Sequence, residues 1–266
     1  MPERSTLKHR RTCRVLGMLA GLVLAPLLHP APVQAEQIAE ARTATSAEVA
    51  RDHMVAVVEE EVRLLSTETG IRSIDPRVLA AMRAVPRHDF VPLDIKAYAY
   101  NNHPLPIGHG QNLAAPLLIA LMTHLAELEP SDAVFETGTG AGYHAAILAQ
   151  LVKDVYSVEV IEPLADQAAR MLRERQGGNV MVQAGDGYNG WPAHAPFDAI
   201  ILKESLDHIP VPLLRQLKPG GRLVMPLGPA DGAQDLIVIR LGSDGRLTQK
   251  NIMPVRFSPM QGGERL

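Results

Sequence analysis

Residues 136–142 read Glu136-Thr137-Gly138-Thr139-Gly140-Ala141-Gly142. The apolar run Ala133-Val134-Phe135 precedes them, and a helical pattern from Tyr143 to Leu151 follows. The glycines therefore stand where a strand hands over to a helix. Glycine permits positive φ and leaves no side chain between backbone and ligand, and open α/β sheets bind ligands at the carboxyl ends of their strands. Downstream the alternation continues. Val155–Val160 reads as strand, Leu164–Arg173 as helix, Val180–Gln183 and Ala199–Leu202 as strands, and Pro212–Leu217 as helix. Pro219-Gly220-Gly221 then leads into a strand at Arg222–Met225. This rhythm predicts an α/β fold with a doubly wound, mostly parallel seven-stranded sheet of Rossmann-like type. Leu236–Leu241 and Ile252–Phe257 have no helix between them and predict an antiparallel addition at one edge.

Upstream, Val55, Val58, Val62 and Leu65 recur at helical spacing. Pro76–Met82 forms a second short helix with Asp75 as N-cap, ended at Val85-Pro86. Phe90 to Pro116 is rich in Pro, Gly, Asn and His and reads as an ordered loop region, long enough to carry function. Leu117–Leu128 returns to a helical pattern.

The 266 residues are 46% hydrophobic and 21% charged, an ordinary globular composition, and the net charge of −3 gives no basic excess for nucleic acid. The N-terminus differs. Arg4, Lys8, Arg10, Arg11 and Arg14 precede an apolar run from Val15 to Leu28, followed by the small-residue exit Val33-Gln34-Ala35. This pattern predicts a signal peptide over 1–35, cleaved near Ala35, and an exported, periplasmic mature chain. The run is shorter than the roughly 20 residues a bilayer requires, so no stable membrane insertion is expected after cleavage. The only cysteine, Cys13, leaves with the signal. Residues 36–115 are expected to supply N-terminal helices and a loop region that contributes to the ligand site. Residues 116–266 are expected to form the α/β core, one domain with the preceding segment, in a monomer.

Dinucleotide enzymes also carry glycine turns, in the spacing G-x-G-x-x-G. Here the third glycine comes one residue early and Glu136 stands two before the first. A carboxylate there repels a pyrophosphate, which disfavours a nicotinamide-dependent oxidoreductase. It suits a ligand with a positive centre and an amine, as S-adenosyl-L-methionine has. Glu159 closes the second strand, where a carboxylate can accept from ribose hydroxyls. Asp186, within Gly185-Asp186-Gly187, is placed to meet an adenine edge.

Longer segments carry a resemblance. Asp75-Pro76-Arg77-Val78-Leu79, Val85 to Pro92, Leu105 to Gln111, Glu136 to Tyr143, Gly185 to Tyr188 with Gly190-Trp191-Pro192, and Leu217 to Leu223 occur in order. From about Val49 to Gly263 the chain resembles the protein-L-isoaspartate O-methyltransferases. The resemblance implies methyl transfer from S-adenosyl-L-methionine to the side carboxylate of isoaspartyl residues in damaged proteins. With the glycine turn, it places the cofactor among Gln111, Glu136, Gly138, Thr139, Gly140, Gly142, Glu159, Asp186 and Gly187.

The chain departs from the family pattern at the acceptor side. After Gly110-Gln111 the family has Thr-Ile-Ser-Gln-Pro, where this chain has Asn112-Leu113-Ala114-Ala115-Pro116. The serine usually assigned to the active site is Ala114. After the fourth strand the small neutral run Thr-Ala-Ala-Ala-Pro is replaced by Lys203-Glu204-Ser205-Leu206-Asp207, then His208. Near the C-terminus Val255-Arg256-Phe257-Ser258-Pro259-Met260 fits the pattern, but Gln261 replaces a threonine. Lys203 and Glu204 are therefore expected to shape the acceptor pocket, with Glu204 or His208 as base if the acceptor is a neutral amine or hydroxyl. The competing expectation is that Lys203 pairs with Glu204 and Asp207 caps the next helix. His103 and His109 lack metal-ligand spacing and read as packed or capping residues. Tyr188 and Trp191 are expected to cover the cofactor side. The alternatives to isoaspartyl methylation are a different acceptor and a non-catalytic binding protein on the same fold.

Overall fold

The computed structural model describes residues 32–175 and 178–262, with side chains from residue 46. Most of the predicted signal peptide, residues 1–31, lies outside the described residues. Chain contacts divide the protein into two units, Met1–Arg42 and Thr43–Leu266. Helix α1 (Pro32–Leu64) runs across that division, and all other described elements belong to the second unit.

Helix α1 carries the predicted apolar stripe, with Val55, Val58 and Val62 buried. After the single turn α2 (Ser66–Thr69), helix α3 (Pro76–Ala84) starts as expected. The Asp75 carboxylate accepts from Arg77 N at 2.8 Å, and Pro76 occupies the first turn, where its missing N–H costs nothing.

The segment read as an irregular loop contains regular structure. Short 3-10 turns at 87–90 and 93–98 lead into a hairpin of β1 (Leu105–Gly108) and β2 (Gln111–Leu113). Gly108, His109 and Gly110 all adopt positive φ at its tip. The strands are too short for a period-2 pattern to register, so turn composition dominated the sequence signal. Arg87 is fully buried and anchors this region. Its guanidinium donates to Ala99 O and Ala114 O, both at 2.8 Å, and lies over the Tyr143 ring. Burial pulls its pKa down to about 10, which leaves it charged at neutral pH.

The remaining elements are α4 (Pro116–Leu125), β3 (Ala133–Thr137), α5 (Tyr143–Ala149), β4 (Asp154–Glu159), α6 (Glu162–Arg175) and β5 (Val180–Ala184). They are followed by β6 (Phe197–Ile201), α7 (Val211–Leu214), β7 (Leu217–Leu227), β8 (Gln234–Leu241) and β9 (Leu247–Val255). The seven-stranded sheet has the order β5-β4-β3-β6-β7-β8-β9. Strands β5 to β7 along that order are parallel, and β8 and β9 add antiparallel at the edge. The expected mostly parallel doubly wound architecture with an antiparallel addition is what forms.

Side chains alternate across the sheet because successive strand residues point to opposite faces. Val134, Ala199, Ile201, Val224 and Leu236 join one apolar cluster, while Phe135, Ile200, Leu223, Met225 and Ile237 join the other. With both faces covered, the central strands read as continuous apolar runs.

One boundary differs from the sequence reading. Helix α7 ends at Leu214, and β7 already begins at Leu217. Against β6 its register jumps from Leu217, opposite Phe197, to Arg222, opposite Ala199. Pro219-Gly220-Gly221 is a bulge inside a strand rather than a turn before one. A Cβ at Gly221 would lie 2.8 Å from Lys218 O and 2.9 Å from Asp198 O, so only glycine fits.

Candidate functional site

Strand order runs outward from β3 to β5 and then returns to β6 on the other side of β3. A cavity opens above this reversal, the place where doubly wound sheets take ligands. Counting its open mouth to solvent, the space between protein atoms is about 1180 Å³. One wall is the glycine turn with Glu159, Gly185 and Gly187. The facing walls are the hairpin segment Gln111–Ala115 with Ile107, and the C-terminal run from Arg256 to Gln261. Lys203 and Glu204 close the floor at the end of β6.

The glycine turn is held by polar bonds beneath it. Gly138, Gly140 and Gly142 have φ of 66°, 56° and 94°. Glu159 Oε2 accepts from Gly140 N at 2.8 Å and Oε1 from Ile161 N at 3.0 Å, which fixes the carboxylate at the cavity wall with lone pairs to spare. The Gly140 amide, which a pyrophosphate would need, is thereby occupied. Thr139 Oγ1 and Ser157 Oγ are 2.6 Å apart, and Ser157 Oγ donates to Glu136 Oε1 at 2.7 Å.

Three predicted cofactor residues stand elsewhere than expected. Glu136 is fully buried and does not line the cavity. Its charge meets the Lys203 ammonium at 2.9 Å, a cation the chain itself supplies, so it acts on the site from beneath. Gly142 faces α6: a Cβ there would lie 3.1 Å from Leu172 Cδ1, and its absence lets α5 and α6 approach. Asp186 lies between two cavity-lining glycines, yet its carboxylate accepts from Tyr188 N at 3.0 Å and packs under the backbone at Gly262. Gln111, Gly138, Thr139, Gly140, Glu159 and Gly187 do line the cavity.

On the acceptor side the expected Lys203–Glu204 pair does not form. Lys203 turns to Glu136, while Glu204 Oε2 accepts from Thr137 Oγ1 at 2.5 Å. Burial, reinforced by the Glu159 and Glu136 carboxylates, pushes Glu204 up to about 7 against the opposing pull of Thr137 and Lys203. Asp207 does not cap α7, whose N-cap position is Pro210. Asp207 Oδ1 contacts His208 Nδ1 at 2.6 Å instead. His208 Nε2 is 2.8 Å from Tyr188 Oη, and both lie outside this cavity, which removes His208 as a base for it. Trp191 packs on Tyr156 and His194 in the core on one side of the sheet and does not cover the cofactor wall. His103 is exposed beside Pro104 O and His109 forms the hairpin tip. The described residues contain no group of His, Cys, Asp and Glu able to hold a metal.

A buried polar residue of the cavity escaped the sequence reading. His144 is buried with Nε2 2.9 Å from Thr123 Oγ1, whose proton already goes to Ile119 O, so Nε2 carries the hydrogen. Burial and then Lys203 hold its pKa well below the usual value, and it is neutral. No motif marks it. Arg256, the exposed cation of the C-terminal wall, belongs to the Val255–Met260 segment that fits the family pattern, and the strand expected to reach Phe257 stops at Val255. Ser205 N donates to Ser258 O and Met260 N to Ser205 O, which ties this wall to the end of β6.

An open sheet whose switch-point cavity combines a glycine turn with acids, its amide already committed to one of them, is that of the S-adenosyl-L-methionine-dependent methyltransferases. Comparison narrows the class. The family model for protein-L-isoaspartate(D-aspartate) O-methyltransferase matches residues 47–265, and the chain belongs to that family. Similar relatives include protein-L-isoaspartate O-methyltransferase 2 of Syntrophobacter fumaroxidans, 48% identical over 80% of this chain and 87% of the relative. Protein-L-isoaspartate O-methyltransferase 1 of Cupriavidus necator is 43% identical over 92% of this chain and 99% of its own. A solved protein-L-isoaspartate O-methyltransferase superposes with a TM-score of 0.64 at 26% identity, covering 77% of this chain and 66% of that one. A Plasmodium falciparum structure with bound S-adenosyl-L-homocysteine shares the fold, with a TM-score of 0.63 at 20% identity, covering 77% and 98%.

Proposed function

We propose that this chain transfers the methyl group of S-adenosyl-L-methionine to the side-chain carboxylate of L-isoaspartyl residues in damaged proteins, a repair reaction. The observation that carries this reading is the shared cavity. The glycine turn and Glu159 form one wall, and Gln111–Ala115 with Arg256 form the other, so donor and acceptor meet in one space.

The nucleoside substrate brings a methyl group already activated by a sulfonium. The residues present fit it: Glu159 has lone pairs for ribose hydroxyls beyond those given to Gly140 N and Ile161 N, and Gly138, Thr139 and Gly140 line the same cavity. The acceptor carboxylate, with a pKa near 4, is ionised at neutral pH. It needs no base, and the protein's task is to orient the two reactants. Arg256 supplies positive charge at the mouth where an anionic acceptor enters.

The test is incubation with labelled methyl donor and an isoaspartyl peptide beside its normal aspartyl isomer. Label in the first alone is the expected result. Label in neither, with intact nucleoside binding, favours a different acceptor, a reading that the Glu204 carboxyl in the cavity supports.

The N-terminal pattern of Arg4 to Arg14, Val15 to Leu28 and Ala35 supports export to the periplasm with cleavage near Ala35. No helix among the described residues is long and apolar enough to cross a membrane. The intact mass of protein from a periplasmic extract checks the cleavage site, and sedimentation checks the proposed monomer.

A further inference from the structure

Glu204 reaches from the end of β6 across to the cofactor turn. Its Oε2 is bonded to Thr137 Oγ1, and its Oε1 fills the place a Cβ on Gly138 would take, 2.1 Å from that position. The chain has lost a hydroxyl on one wall, at Ala114, and holds a carboxyl at the floor of the same cavity. Both differ from the family pattern, which has serine and a small neutral residue there. We propose that Glu204, in its carboxylic-acid form, donates the hydrogen bond that seats the acceptor carboxylate, taking over the positioning work left open by Ala114. This role rests on the isoaspartyl reading of the site.

Electrostatics favour the acid form as the working one. An ionised Glu204 would confront an acceptor of its own sign inside a partly closed cavity, whereas the acid offers one O–H. Thr137, on β3, already donates to Oε2, which leaves Oε1, above the glycine turn, to carry the proton. The other charged or titratable groups facing it are Glu136 on β3, Glu159 on β4, His144 on α5, Lys203 beside it and Arg256 on the C-terminal wall. The two carboxylates add to burial in keeping the proton in place. Lys203 opposes them but is engaged by Glu136. His144 is neutral, and Arg256 stands exposed at the mouth. In the transfer, an acceptor oxygen bonds the methyl carbon as the carbon–sulfur bond breaks with its electron pair left on sulfur. The Glu204 proton stays where it is.

The experiment measures kcat/KM for an isoaspartyl peptide against pH in the wild type, E204Q, E204A and the double variant E204A/A114S. In parallel, calorimetry measures binding of the same peptide to protein saturated with S-adenosyl-L-homocysteine. Wild-type kcat/KM should fall about tenfold per pH unit above about pH 7 as the donor ionises. Peptide affinity should fall with it. E204Q, whose amide is a neutral donor at every pH, should lose that limb in both measurements. E204A should be slow throughout, and A114S should recover activity without the limb. A limb that persists unchanged in E204Q, or a wild-type profile flat above pH 7, overturns the role of Glu204 while leaving isoaspartyl methylation intact. Absence of isoaspartyl turnover by the wild type at any pH overturns both.

Discussion

Lys203 Nζ stands 2.9 Å from Glu136 Oε2, joining the cavity floor to a carboxylate that is fully buried under the glycine turn. The Glu136 charge is thus neutralised within the chain, although the sequence suggested that a ligand amine would do it. Removing the ammonium strands a buried charge, which costs about 3–5 kcal/mol. K203M should therefore lower the urea midpoint strongly, and adding E136Q should recover most of the loss. Equal midpoints for K203M and the wild type would show the pair to be idle.

Glu159 is the acid placed to hold the nucleoside. E159Q keeps its shape and loses its charge, and hydrogen bonds to charged groups contribute about 1.5–3 kcal/mol. Calorimetry should show S-adenosyl-L-homocysteine binding weakened by roughly tenfold or more. An unchanged Kd would move the ribose away from β4.

Gly142 separates structural from binding glycines. G142A forces a left-handed residue, at about 1–2 kcal/mol, and brings a Cβ to 3.1 Å from Leu172 Cδ1. The melting temperature should fall while nucleoside affinity stays within about twofold after saturation is allowed for, because that Cβ faces α6 rather than the cavity.

Arg87 holds the acceptor wall through Ala114 O. R87M should destabilise the fold by about 1.5–3 kcal/mol, from the lost charged hydrogen bonds. It should also raise KM for peptide more than it weakens nucleoside binding. Steady-state kinetics beside calorimetry reads the split.

Glu204 also links stability to pH. Its folded-state value of about 7 lies above the ordinary 4.5, so the folded chain retains a proton that the unfolded chain has released. That contribution is complete below about pH 4.5 and is lost as pH rises toward 7. His144 acts with the opposite sign, since a neutral buried imidazole loses stability as pH falls below 6.5. The difference between wild type and E204Q isolates the first effect. Wild type should lose unfolding free energy relative to E204Q between about pH 5 and 7, as measured by urea titrations.

Local chemistry was enough to announce the sheet and its ligand edge. Short apolar runs ending in Glu136–Gly142, Glu159 and Gly185–Gly187 follow from backbone geometry that any solvent-excluded parallel sheet imposes. The Asp75 cap was equally readable, because capping is decided within a few residues. Where a charge finds its partner is a matter of distance between strands remote in sequence, and no spacing rule encodes it. A Lys203–Glu204 pair was one expectation, but β6 beside β3 brings Glu136 within reach of Lys203 and Thr137 within reach of Glu204 instead. The same packing turned Gly142 toward α6, pulled Asp186 under the C-terminal tail, and set His144 beneath the cavity. Pattern along the chain thus marks which strand ends bear acids and glycines. Which of those groups face ligand, and which face one another, depends on how the strands lie side by side, because Coulomb and hydrogen-bond energies are set by proximity in space.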